Sequence, residues 1–239
     1  MKYIYGPVQS RRLGLSLGIT LTAYKTCSFD CVYCQLGKTR QLTTETKEYL
    51  PIQEILEEVK AWLQNNPQEA QNLSYITFSG SGEPTLNSRM GELITGIKKL
   101  TAVKVAVITN ASLLKDPQVL NALLGADLVV PSLDAATAEI LEKIDRPHAS
   151  VRIADIIEGL INLRKEFKGQ IWLEVMLVKG LNDDLRQIKK LKEAIDKIKP
   201  DKIQLNSPVR TTSEPGIIPA DKEKLKKAAL IFGDKCEIF

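Results

Sequence analysis

The chain has 239 residues, with 33 Lys+Arg against 29 Asp+Glu for a formal net charge of +4, and is 44% hydrophobic and 26% charged. That is the composition of an ordinary globular domain and argues against a disordered, collagen-like or coiled-coil chain. Its longest apolar runs, Val103–Ile108 and Ala126–Val130, carry charges and fall far short of the roughly 20 residues that cross a bilayer, so no membrane span is expected. The segment Met1–Pro7 has no apolar h-region followed by a cleavage site, and a cytoplasmic location is expected.

From the N-terminus onward, short β-branched runs alternate with amphipathic segments. Candidate strands are Leu15–Leu21, Ser74–Phe78, Lys104–Thr109, Leu128–Ser132, Gln170–Val178 and Lys202–Asn206. Candidate helices are Ile52–Gln64, Arg89–Leu100, Pro117–Leu124, Ala136–Ile144, Val151–Phe167, Asp184–Ile198 and Ala220–Phe232. In the first helix Ile52, Ile55, Leu56, Val59 and Leu63 form one stripe, with Glu54, Glu57, Glu58 and Lys60 opposite, the pattern of a helix that covers a sheet. Strands that each lead into a helix predict an α/β fold with a parallel sheet, because parallel neighbours require crossovers. Whether the sheet is open or curls into a barrel does not follow from the pattern. Ser207–Pro219, with three prolines and Thr211-Thr212-Ser213, reads as a long loop after the last strand. No linker or internal repeat divides the chain, so a single domain over residues 1–239 is expected.

Cys27, Cys31 and Cys34 stand within eight residues, and the fourth cysteine, Cys236, is nearly at the C-terminus. This spacing is not a disulfide framework and points to metal binding. A structural zinc site wants four ligands, and Cys236 is the one residue that offers itself as the fourth. The other reading is a [4Fe-4S] cluster with one iron left for a ligand that is not protein, since such clusters are held by thiolates.

Cys27-Ser28-Phe29-Asp30-Cys31-Val32-Tyr33-Cys34 resembles the C-x3-C-x2-C signature of the radical S-adenosylmethionine superfamily. A second segment, Phe78-Ser79-Gly80-Ser81-Gly82-Glu83-Pro84, is similar to the Gly-Gly-Glu segment of that family. The resemblance implies a partial (β/α)6 TIM-like barrel, a [4Fe-4S] cluster on the three cysteines, and S-adenosyl-L-methionine bound to the fourth iron. It further implies Tyr33 beside the adenine and Gly80, Gly82 and Glu83 facing the methionine ammonium. The glycines let backbone approach a ligand closely. At the other strand ends, Asn110, Ser132 and Asp134 are candidate ribose or carboxylate contacts, Met176 and Val178 candidate adenine packing. Each polar residue could equally cap the next helix.

Tyr5–Gly14, Thr26–Gly37, Ser132–Ala135, Ile144–Pro147 and Leu177–Asn182 are similar to the group related to 4-demethylwyosine synthase, a tRNA-guanosine-modifying family. That family holds a second cluster on three further cysteines, and this chain has only Cys236 to spare. The family also engages a ketoacid through lysine, which makes Lys179 and Lys25 candidate catalytic residues. Arg210, Arg11 and Arg12 are candidates for meeting an anionic substrate. The net charge is only mildly basic, and the lysine runs at 189–192 and 222–227 read as solvated helix faces, so an RNA substrate rests on the resemblance. His148 reads as a loop residue. The expected activity is reductive cleavage of S-adenosylmethionine to a 5′-deoxyadenosyl radical that takes hydrogen from a nucleoside, tRNA or other small-molecule substrate. A flavodoxin- or ferredoxin-type low-potential electron donor is the expected partner. A radical-generating activase for a partner protein and a non-catalytic metal-stabilised module are the alternatives.

Overall fold

The computed structural model describes residues 1–239. The chain opens with β1 (Ile4–Ser10) and β2 (Gly14–Thr20), an antiparallel hairpin, and then a loop whose short strands β3 (Thr26–Cys27) and β4 (Gln41–Leu42) pair with each other. There follow α1 (Ile52–Asn65), α2 (Pro67–Asn72), β5 (Tyr75–Ser79), a 3-10 turn at Pro84–Leu86, α3 (Met90–Leu100), β6 (Lys104–Thr109), α4 (Pro117–Leu123) and β7 (Leu128–Pro131). The second half comprises α5 (Ala138–Ile144), α6 (Ile153–Glu166), β8 (Gln170–Met176), α7 (Leu185–Ile198), β9 (Lys202–Asn206), α8 (Lys222–Phe232) and β10 (Cys236–Ile238).

The main sheet has the order β1-β2-β5-β6-β7-β8-β9-β10, parallel throughout except for β1. β2 and β5 to β9 are the six strands expected, each leading into helices, and together they make the partial (β/α)6 barrel. β1 and β10 lie beyond the expectation. Gly6 and Pro7 break the strand pattern of the first, and the second is only three residues long. α3, α5, α6 and α8 begin one or two residues later than the periodicity suggests because Arg89, Thr137, Arg152 and Asp221 are caps with non-helical backbone. No helix is long and apolar enough to cross a membrane.

The period of two divides the barrel strands cleanly. Leu17, Ile19, Ile76, Phe78, Val105, Val107, Val129, Ile171, Leu173 and Leu205 point outward and are fully buried under the helices. At roughly 1.5–3 kcal/mol for each large apolar side chain removed from water, this shell dominates the stability. α7 shows the match from the helix side: Ile188, Leu191, Ile195 and Ile198 recur at helical spacing and are buried, Asp184 caps Gln187 N at 3.0 Å, and Lys199 ends the helix at φ +56°. The inward face differs in kind. Leu13, Ala106, Leu128 and Val130, with Tyr75 and Trp172 meeting edge-on at 6.4 Å, make a small apolar cluster inside the barrel. Toward the carboxyl ends the inward positions turn polar, and the site lies there.

Candidate cluster and cosubstrate site

The cysteine loop leaves the carboxyl end of β2, where a βα barrel builds its site. It is laid directly on the β5 turn: Lys25 N donates to Ser81 O at 2.6 Å and Glu83 N to Thr26 O at 3.1 Å. Gly82 makes this approach feasible, because a Cβ there would meet Thr26 O at 1.9 Å and Thr22 Oγ1 at 2.5 Å. Gly80, at φ +93°, supplies the turn in a backbone region that side chains disfavour. The loop is fastened from other sides by Thr43 N to Cys27 O (3.0 Å), Val32 N to Ile144 O (2.8 Å), and Ser213 Oγ to Cys31 O (2.7 Å). Sequence spacing alone carries no sign of these ties.

Cys27, Cys31 and Cys34 are free thiols held by this frame. Burial pushes the Cys27 thiol up to about 12 and raises Cys31 too, so a thiolate at either position calls for a bound cation. Cys236 is no fourth ligand: it pairs with Ile203 near the start of β9, at the end of the barrel away from the cysteine loop. The zinc reading that needed Cys236 is corrected accordingly. Lys25, only 3% exposed, places Nζ 3.1 Å from Cys34 Sγ, and Asn110 Nδ2 lies 3.6 Å from Cys27 Sγ. Donors aimed at sulfur suit an anionic thiolate-held group. The three thiols and these donors fit a [4Fe-4S] cluster with three protein ligands.

Glu83 is buried, and its carboxylate is fully engaged. Oε1 accepts from Thr85 N (3.1 Å), Thr85 Oγ1 (2.7 Å) and Thr109 Oγ1 (2.6 Å), and Oε2 accepts from Asn110 N (2.7 Å). Burial raises its pKa, and these bonds oppose the rise. These bonds lock the β5 turn to the end of β6. Asn110, so held, reaches Ser28 Oγ at 2.8 Å.

Tyr33 is brought together with Asp134 as a pair that no local pattern shows: its hydroxyl donates to Asp134 Oδ2 and lies 3.4 Å from Asp145 Oδ1. Met176 N donates to Asp134 Oδ1 at 2.7 Å. Burial pushes the Asp134 carboxyl up to about 7, and burial with the Asp134 charge raises Asp145. Asp145 had no role assigned from the sequence; its only signal is the Ile144-Asp145-Arg146-Pro147 segment at the end of α5. Tyr33, Asn110, Ser132 and Asp134 share a cavity of about 30 Å³.

Tyr33 also borders a larger cavity of about 470 Å³ inside the barrel, which Cys34, Ser79, Met176 and Asn206 line from the strand ends. Arg210, Arg11 and Arg12 line it as well, and Arg210 Nη1 donates to Gln35 Oε1 at 2.6 Å. Lys179 is not there. Its ammonium lies 2.8 Å from Asp221 Oδ1 just ahead of α8 and is half-exposed, because Lys179 follows β8 in the outward turn of Gly180. Lys179, a candidate catalytic residue from the sequence, thus stands in a surface ion pair. Val178 is buried but bridges Pro219 and lines neither cavity. His148 sits in an exposed turn with Ser150, as expected.

The family model described as the Radical SAM superfamily matches residues 21–198. A "GTPase Obg" of Brachyspira hyodysenteriae is 42% identical over 237 residues, 99% of this chain and 34% of that protein. A "UPF0026 protein" of Methanocaldococcus jannaschii is 35% identical over 234 residues, 98% of this chain and 72% of that protein. The chain thus spans about a third of the length of the first relative and nearly three quarters of the second. The solved structure of a radical SAM methyltransferase from Sphaerobacter thermophilus shares the fold with a TM-score of 0.73 at 17% identity, covering 94% of this chain and 65% of that one. Matched family model, barrel fold and a cysteine loop fitted for a [4Fe-4S] cluster and S-adenosylmethionine agree: the chain belongs to the radical S-adenosylmethionine superfamily.

Proposed function

We propose that this chain is a radical S-adenosylmethionine enzyme whose cluster is held by Cys27, Cys31 and Cys34 and whose substrate enters the 470 Å³ interior cavity. A [4Fe-4S] cluster held by Cys27, Cys31 and Cys34 would supply reductive cleavage of S-adenosylmethionine and hydrogen-atom abstraction from the substrate, its electron coming from a flavodoxin- or ferredoxin-type donor. The residues of the chain do the rest. Lys25 and Asn110 donate toward thiolate sulfur, Gly80 and Gly82 bring backbone to the cosubstrate, and Glu83 fixes Asn110. Tyr33, held by Asp134, stands where the cosubstrate pocket meets the interior cavity. The barrel excludes water and holds the target carbon in reach, which is the protein's share of cofactor chemistry.

The single observation that carries this reading is three cysteines fastened to one loop at the carboxyl end of the barrel, the last of which, Cys34, borders the interior cavity. Within the superfamily we assign the chain to the group related to 4-demethylwyosine synthase, with a nucleoside-type substrate, on the segments Tyr5–Gly14, Ile144–Pro147 and Leu177–Asn182. The GTPase named for the Brachyspira relative is not carried over: Gly37-Lys38-Thr39 has Val32 where a phosphate-cradling G-x4-G-K-[ST] loop needs its first glycine.

The test is anaerobic reconstitution with iron and sulfide, reduction by dithionite, and quantification of 5′-deoxyadenosine from S-adenosylmethionine against Cys31→Ala. Cysteine-dependent product is expected. Zinc in the site with no four-iron cluster would overturn the assignment in favour of a metal-stabilised module.

A further inference from the structure

The interior cavity has a second end that the cluster chemistry does not use. It extends along β1 from Cys34 and Gln35 to the β1–β2 turn at Ser10–Leu13. The seven residues of β1 span about 20 Å at a rise of roughly 3.4 Å per residue. Four side chains in its wall carry charge at neutral pH, Arg11, Arg12, Arg210 and Glu174, so the wall is net positive. Glu174 is already taken: its Oε2 forms an ion pair with Arg12 Nη1, across the barrel from the hairpin to β8. Arg12 Nη1 is buried in this ion pair. Arg11 enters no ion pair. The turn itself is fixed, with Arg12 N and Leu13 N donating to Ser10 Oγ at 3.3 and 3.1 Å. Arg210 is different, since it hangs on Gln35, the residue after Cys34, at the cluster end.

We infer that Arg11 and Arg12 form an oxyanion subsite that holds a phosphate or carboxylate of an elongated substrate, with the reacting carbon placed toward Tyr33 and Cys34. The reading rests on the proposed chemistry only for where the reacting carbon lies. Two guanidinium groups match an oxyanion's geometry in a way that ammonium groups do not. Glu174 presets Arg12, so binding orders little more than Arg11. The carboxylate of the cosubstrate is the competing source of the same chemistry, and Arg210, bonded to Gln35 beside Cys34, is the arginine at the cluster end.

The test uses the anaerobically reconstituted full chain and calorimetry, at constant ionic strength in chloride, with inorganic phosphate, succinate and S-adenosylhomocysteine as separate probes. Phosphate or succinate is expected to bind saturably, one per chain, whichever of the two binds naming the anion. Arg11→Gln should weaken that binding at least about tenfold, Arg11→Lys should recover part of it, and S-adenosylhomocysteine should bind Arg11→Gln as it binds the parent. Arg12→Gln strips Glu174 of its partner and can unfold the hairpin, so the decision rests on Arg11. Absence of saturable binding of both anions, or undiminished binding by Arg11→Gln, would overturn the subsite. An equal loss of S-adenosylhomocysteine affinity would assign the arginine to the cosubstrate and likewise overturn it. Because no turnover is read, failure here is distinct from failure of 5′-deoxyadenosine formation.

Discussion

Gly82→Ala puts the coupling between the β5 turn and the cysteine loop to a direct trial. The added Cβ would lie 1.9 Å from Thr26 O, 2.5 Å from Thr22 Oγ1 and 2.9 Å from Thr26 C. To regain an ordinary contact of 3.4 Å the Thr26 carbonyl must retreat by about 1.5 Å, and backbone cannot rotate aside as a side chain can. Thr26 directly precedes Cys27, and its carbonyl accepts from Glu83 N at 3.1 Å, so the same displacement moves a cluster ligand and breaks a tie between the two loops. Overpacking of this kind costs about 1–3 kcal/mol. The expected result is a lower urea midpoint for the unreconstituted chain and, after anaerobic reconstitution, fewer than half the iron and sulfide atoms per chain of the parent. Gly125→Ala is the control, since its Cβ would meet only Ile94 Cγ2, at 3.3 Å. If Gly82→Ala takes up a full complement of iron with the parent's stability, the two loops are not rigidly coupled and the argument fails.

Two further predictions concern charge. Burial raises the Asp134 carboxyl from 3.8 to about 7. Between about pH 4 and pH 7 the folded chain therefore keeps a proton that the unfolded chain releases. Stability of the unreconstituted protein should fall as pH rises through that window, by at most about 1.4 kcal/mol per pH unit per proton. Urea midpoints at several pH values check this; Asp134→Asn should flatten the dependence, and a midpoint that climbs with pH contradicts it. For Lys179, whose ammonium faces Asp221 at the surface, Lys179→Ala should leave the yield of 5′-deoxyadenosine and the urea midpoint at the parent's values. A many-fold drop in yield would restore the lysine to the reaction.

Much of this molecule is written in local pattern. Strands such as Ile76-Thr77-Phe78 alternate between helix-covered and inward faces, and α7 places Ile188, Leu191 and Ile195 on one side, so period alone yields the six βα units. Spacing likewise identifies Cys27, Cys31 and Cys34, because three soft ligands crowded into eight residues have few other uses. Tertiary structure decided what no window of sequence contains. The contacts that define the site join residues far apart in the chain: Tyr33 to Asp134 and Asp145, Glu83 to Thr109 and Asn110, Arg12 to Glu174. Such pairings depend on which strand ends the barrel brings side by side. For the same reason Lys179 and Lys25 are indistinguishable as letters, yet one faces solvent and the other lies buried against Cys34. Periodicity records which face of an element is buried; it does not record what stands opposite that face, and the chemistry of this site is built from those oppositions.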